Sequence, residues 1–252
     1  MTDSTNVNFS VVIPLFNKAP YVRASVLSAL AQTHMPTEVF VIDDGSTDGS
    51  VDQIADLLDR VQVVRQPNLG QGAARNRGAE LSRCEWVAFL DADDWWDSAH
   101  LAELAQLVRS HLLVGMVASN YVRGTMPPSQ SSRVWIPARK NPDTIDYFRV
   151  AARDIGVAWS SAVAIRKSVL RRVGGFSNDQ AGEDLVCWTR VALQAPVAVS
   201  RRRTALYRTE NWWGNGTTAV TECPRTTGST SQRFVAVCRS RLIRACSRWS
   251  RC

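Results

Sequence analysis

The sequence predicts an α/β fold: a mainly parallel central sheet with helices on both faces. Two observations carry this. Short apolar runs alternate along the chain with segments whose apolar residues recur at helical spacing, the β-α-β-α order that builds a parallel sheet. Three of the runs also stop abruptly at polar residues: Phe16-Asn17, Asp43-Asp44, and Asp91-Ala92-Asp93-Asp94. Such sheets bind ligands outside the carboxyl ends of their strands, so these polar ends are expected to meet on one edge.

The first strand is Phe9-Ser10-Val11-Val12-Ile13-Pro14-Leu15. A helix is expected from Pro20 to Thr33, with Pro20 in its first turn and Val22, Val26, Leu27 and Leu30 on one stripe. Val39-Phe40-Val41-Ile42 is the second strand. The next helix places Val51, Ile54, Ala55 and Leu58 on one face, and Val61–Val64 is the third strand. A loop around Gly70 and Gly72 opens a small-residue helix through Leu81.

The fourth strand, Trp86–Leu90, delivers three carboxylates within four residues. Burying them unpaired would be very costly, so they must reach solvent, a cation, or both. Hard oxygen ligands at a strand end suit Mg²⁺ or Mn²⁺, which bind one or two carboxylates together with substrate phosphates. The helix that follows is capped by Asp97, with a stripe of Leu101, Leu104, Ala105 and Val108.

Beyond Ser110 the patterning weakens. Leu112–Tyr121 and Val157–Ile165 read as strands, Thr125–Ser132 as a loop, and Pro142 as a helix start. Gly174-Gly175-Phe176 makes a turn. Gly182-Glu183-Asp184 then leads into a helix containing Val186, Trp188, Val191 and Leu193.

Charge is unevenly distributed. The net +7 resides in residues 201–252, where 11 arginines face Glu210 and Glu222; the first 200 residues hold 19 basic and 21 acidic groups. A nearly neutral body argues against a nucleic-acid-binding face. The six cysteines form no C-x-x-C pair, which fits a reduced, cytoplasmic chain. Met1 to Asn8 lacks a signal peptide's apolar region, and no apolar run reaches bilayer-spanning length. His34, His100 and His111 show no metal-ligand spacing and read as exposed or core histidines.

Five motifs in this order resemble the family 2 glycosyltransferases, inverting enzymes with the GT-A nucleotide-sugar fold. They are Val12–Asn17, Val41–Asp48, Asn68-Leu69-Gly70 with Ala74–Gly78, Phe89–Asp94, and Gly182-Glu183-Asp184 with Trp188 and Arg190. The resemblance covers about residues 9–208. It implies a GT-A domain over 1–215, with a nucleotide-binding half at about 9–110 and an acceptor half at about 111–215.

The resemblance also implies roles. Pro14, Phe16, Asn17, Asp43, Asp44, Arg75, Asp91 and Asp93 fall in the nucleotide site. Asp44 would accept from a base N–H, Phe16 would lie against the base or pack in the core, and Asn76 would support the loop. Asp91, Asp93 and Asp94 would divide the ribose and the metal, with Asp93 and Asp94 favoured for Mg²⁺ or Mn²⁺. Asp184 would be the general base and Glu183 would help position the acceptor. Trp212 and Trp213 would stack on a sugar or form a wall of the fold. Similar enzymes often carry a further histidine where this chain has Tyr207-Arg208-Thr209-Glu210, so a third protein ligand is not expected.

The implied reaction moves a sugar from a nucleoside diphosphate, a UDP-sugar being favoured, to the hydroxyl of a glycan or lipid-linked acceptor in polysaccharide or glycoconjugate synthesis. A non-catalytic nucleotide-sugar-binding protein is the alternative. A sugar nucleotidyltransferase would instead need a glycine-rich basic loop after strand one, which Pro14-Leu15-Phe16-Asn17 is not. In the basic 216–252 tail, Phe234, Val235, Cys238, Leu242, Ala245, Cys246 and Trp249 share one helical arc opposite a cluster of arginines. That pattern fits either peripheral contact with the inner face of a membrane or a disordered segment.

Overall fold

The computed structural model describes residues 7–124, 143–177 and 182–209. Its centre is one sheet in the order β3-β2-β1-β4-β8-β6-β9-β5. The strands of its first half are β1 (Phe9–Leu15), β2 (Glu38–Asp43), β3 (Gln62–Arg65) and β4 (Trp86–Phe89), and all pair in parallel. The other half is mixed. There β8 (Val163–Arg166) runs antiparallel to both β4 and β6 (Met116–Gly124), while β6 pairs in parallel with the long β9 (Val197–Arg208). Two short strands, β5 (Trp95–Trp96) and β7 (Asp143–Ile145), add antiparallel to β9.

Side chains alternate across a strand, so each central strand feeds two cores. Phe9, Val11, Ile13 and Leu15 of β1 face one core and Val12 the other; Val39 and Val41 of β2 oppose Phe40 and Ile42 in the same way. Helices α1 (Val22–Leu30) and α3 (His100–Ser110) cover the first face through Val22, Val26, Leu101, Leu104 and Val108. On the second face, α2 (Gln71–Leu81), α5 (Lys167–Arg172) and α6 (Glu183–Ala192) contribute Ala74, Leu170, Trp188 and Val191. A short α4 (Tyr147–Ala151) starts at Asp146, whose side chain accepts from the Arg149 N–H at 3.1 Å. Among the described residues no helix is long and apolar enough to cross a membrane.

Several boundaries differ from the sequence reading. The segment after β2 is a 3-10 turn, Asp52–Leu57, interrupted at Ile54. Three residues per turn put Ile54 and Leu57 on the buried face and leave Leu58 exposed. β6 begins only at Met116, with Leu112 and Leu113 in solvent. Two 3-10 turns, Ile155–Val157 and Ser160–Ala162, occupy most of the stretch read as a strand before β8. Asp97 accepts from the Ala99 N–H at 2.9 Å, one turn ahead of α3 itself. Leu193 lies beyond α6 and is exposed. Pro142, the Thr125–Ser132 loop, Trp212, Trp213 and the 216–252 tail lie outside the described residues.

Candidate active site

The carboxyl ends of β1, β2 and β4 share one edge of the sheet, as parallel pairing requires. Pro14 is buried within β1, opposite Ile42, and so backs this edge rather than lining it. Phe16, just past the strand, is 44% exposed; of its two expected settings, core packing is excluded. Asn17 adopts a left-handed backbone (φ 51°). Its Oδ1 accepts from the Thr47 N–H at 2.9 Å and its own N–H donates to Ser46 Oγ, binding the end of β1 to the loop after β2.

Asp43 and Asp44 are both buried and fix their own loops. Asp43 accepts from the Ser46 N–H at 2.9 Å and pairs with Arg65 at 3.2 Å. Asp44 Oδ1 accepts from Gln66 Nε2 and the Leu69 N–H, and its Oδ2 from the Gly70 N–H, at 2.7–2.9 Å. That carboxylate anchors the loop leading into α2. Gly70 stands at φ 90°, which suits glycine.

Arg75, on α2, is 1% exposed and sits between two acids. Its Nη2 donates to Asp91 Oδ1 at 2.6 Å and its Nη1 to Glu183 Oε1 at 2.8 Å. Burial works against its charge, but Asp91 and Glu183 hold its pKa above the ordinary value. Burial raises the Asp91 carboxyl, with Arg75 opposing that rise. The next residue, Asn76, exchanges two hydrogen bonds of 2.9 Å with the backbone of Phe176 and so supports the loop before α6.

Asp93 and Asp94 diverge although adjacent. The Asp93 side chain is 30% exposed and receives Lys18 Nζ at 2.5 Å. Asp94 is 1% exposed. Its Oδ2 accepts from Ser161 Oγ at 2.5 Å and Trp159 Nε1 at 3.0 Å, and its Oδ1 from the Arg208 N–H at 2.9 Å. The expectation that all three carboxylates open to solvent or a cation is therefore corrected for Asp94, whose oxygens neutral donors of this chain already hold. Burial first, and the nearby Asp91 charge second, push its carboxyl up to about 7.

Gly182 enters α6 with a left-handed backbone, and Glu183 and Asp184 form the acidic first turn, which favours negative charge there. Glu183 is buried against Arg75, whereas Asp184 is half-buried and its Oδ2 accepts from Ser160 Oγ at 3.1 Å. The Asp184 charge acts on both Arg75 and Asp91. Among the described residues, no cluster of three or more His, Cys, Asp or Glu side chains is suited to hold a metal ion. His100 is buried, stacked on Trp96 at 4.3 Å, and plays no part in the site.

Sequence reasoning missed Lys18, Trp159, Ser160, Ser161 and Arg208. Lys18 directly follows the Phe16-Asn17 strand end, a signal that was in view. The Trp159-Ser160-Ser161 run looked like the start of a strand, and only its tertiary contacts reveal its role.

A sequence profile described as Glycosyl transferase family 2 matches residues 10–174. The chain belongs to that family. The matched stretch ends before α6 and so does not include Glu183 and Asp184. An uncharacterized glycosyltransferase of Nostoc sp. is 39% identical over 115 residues, 44% of this chain and 36% of that protein. The succinoglycan biosynthesis protein ExoW of Rhizobium meliloti is 41% identical over 104 residues, 38% of this chain and 33% of that one. The chain thus spans about a third of the length of these relatives.

Two solved structures align over most of the chain. S. aureus TarS 1–349 in complex with UDP-GlcNAc gives a TM-score of 0.65 at 20% identity, covering 81% of this chain and 59% of that one. The mannosyltransferase PcManGT from Pyrobaculum calidifontis, in complex with GDP-Man and Mn²⁺, gives 0.64 at 20% identity, covering 83% and 59%. These likenesses show the GT-A fold.

Proposed function

We propose that this family 2 member transfers a sugar from a nucleoside diphosphate to an acceptor hydroxyl with inversion, using Asp184 as general base. One observation carries the reading: the buried Arg75 guanidinium joins Asp91, at the end of β4, to Glu183. Asp184, next to Glu183 on the first turn of α6, is thereby held beside the carboxylate edge of the sheet. It is partly exposed; its Oδ2 accepts from Ser160 Oγ at 3.1 Å and its Oδ1 from the Leu185 N–H at 2.7 Å, and each carboxylate oxygen has a second lone pair for an incoming hydroxyl. Taking that proton as the new bond forms is work typically worth about 10²–10⁴-fold.

Phe16 is exposed where a base would lie. The donor we propose is a UDP-sugar; TarS and PcManGT were solved with UDP-GlcNAc and GDP-Man respectively, so both nucleotides belong in any test. The acceptor we propose is a glycan or lipid-linked sugar, in keeping with the polysaccharide name of ExoW.

Asp93 fits Mg²⁺ or Mn²⁺. It is partly exposed, and a cation, Lys18 Nζ, already rests on its carboxylate. Asp94 does not fit, because its oxygens are engaged by Ser161, Trp159 and Arg208. With Asp93 as a carboxylate ligand, diphosphate oxygens and water would supply most of the remaining positions, a set Mg²⁺ favours. When bound, the ion supplies neutralisation of the charge that builds on the departing diphosphate.

The test is calorimetric titration of UDP and GDP with and without Mn²⁺, followed by product analysis with a panel of UDP- and GDP-sugars. Metal-dependent binding that Asp93→Asn abolishes, together with transfer from one donor, is expected. Metal-independent binding in both proteins would remove the metal assignment, and hydrolysis or transfer from no donor would remove the transferase reading.

A further inference from the structure

We infer that Trp159, Tyr207 and Tyr121 form the acceptor subsite, an aromatic wall against which the apolar face of a pyranose ring packs. The inference rests on the transferase reading above and extends it. The Trp159 and Tyr207 rings lie 4.2 Å apart, and Tyr121 stands 5.7 Å from Trp159. Trp159 and Tyr121 back onto the hydrophobic core, yet all three side chains remain partly exposed. Aromatic side chains kept in this state, apolar in body and wet at one edge, suit a ligand that is itself apolar on one face and polar at its rim.

Position favours a sugar at the reacting end of the acceptor. Trp159 Nε1 donates to Asp94 at 3.0 Å, which fixes the indole plane, and the next residue, Ser160, donates to Asp184 at 3.1 Å. Trp159 thus touches the carboxylate edge at Asp94 and directly precedes in the chain the residue that touches the proposed base. Tyr207 neighbours Arg208, whose N–H and Nε hold Asp94 and the Asp93 carbonyl. The wall is thus tied at both ends to the carboxylate edge. Its rings are held before any ligand arrives, which lowers the ordering cost of binding. At the outer rim the exposed Arg123 lies 5.6 Å from the Tyr207 ring centre, with guanidinium donors for sugar hydroxyls.

The experiment is saturation-transfer NMR of the full chain with methyl glucoside, galactoside and mannoside and their β-linked disaccharides, in UDP and Mn²⁺. UDP affinity is measured on the same samples. Wild type and Tyr207→Phe are expected to transfer saturation to the ring protons of at least one saccharide. Tyr207→Ala and Tyr121→Ala should weaken that binding by roughly 2- to 12-fold, the worth of one aromatic contact, with UDP affinity kept. If Tyr207→Ala loses UDP affinity as well, Tyr121→Ala decides by the same comparison. A wild type that binds UDP and none of the saccharides, or alanine variants that bind them as wild type does, would overturn the subsite. Saccharide binding that depends on these rings in a protein binding neither UDP nor GDP would uphold the subsite and remove the donor reading.

Discussion

Arg75 and Glu183, 108 residues apart in sequence, meet at 2.8 Å with both side chains buried. This pair, extended to Asp91, ties α2, β4 and α6 together at the edge where the polar strand ends converge. Removing one partner of a buried ion pair leaves an uncompensated charge, which costs about 3–5 kcal/mol. Arg75→Met, which leaves two acids facing each other, should lose stability of that order in urea unfolding. Arg75→Lys should recover only part of it, since one ammonium cannot copy the two-pronged geometry. Stability unchanged in Arg75→Met would show that the triad does not hold the edge together.

A second prediction concerns the seat of α2 on the sheet. A Cβ on Gly78 would lie 2.3 Å from Val12 Cγ1. Alanine is the better helix former by about 1 kcal/mol, yet overpacking typically costs about 1–3 kcal/mol. Gly78→Ala should therefore lower the thermal midpoint, and adding Val12→Ala should restore part of the loss. A midpoint raised by Gly78→Ala alone would contradict the packing.

Two buried groups should give stability opposite dependences on pH. The Asp94 carboxyl is pushed up to about 7, so the folded state holds a proton that the unfolded chain has released above about pH 4; its contribution is lost as pH rises toward 7. Burial lowers His100 to about 3, so its contribution is present above the unfolded value near 6.5 and is lost as pH falls. Between pH 5 and 6.5 the two oppose, each by up to about 1.4 kcal/mol per pH unit. Relative to wild type, urea midpoints of Asp94→Asn should rise more steeply with pH, and those of His100→Phe should rise less or fall. Parallel profiles for all three proteins would refute the assignment.

The first half of the fold was legible because its strands are continuous apolar runs that end at polar motifs. The β1, β2 and β4 assignments hold to within a residue or so, as does the α3 stripe. The second half was harder to read for a physical reason. Its strands are antiparallel or mixed, and the stretch before β8 uses 3-10 turns whose buried positions follow neither a period of two nor of 3.6. In the site, sequence named Asp91, Asp93, Asp94, Arg75 and Glu183 but not the groups that hold Asp93 and Asp94. That Asp93 faces outward and Asp94 inward depends on Ser161, Trp159 and the Arg208 backbone, which arrive from 65 to 114 residues away. No local pattern carries that information.

The central claim, that Asp184 takes the acceptor proton, is tested most directly by turnover in Asp184→Asn, with UDP affinity measured beside it. The asparagine keeps the size of the side chain; its Oδ1 can still accept from the Leu185 N–H and its Nδ2 can donate to the Ser160 hydroxyl. Transfer from the preferred nucleotide sugar should fall about 10²–10⁴-fold while UDP affinity stays at the wild-type value. Turnover near that of the wild type would contradict the account and place the base on another residue.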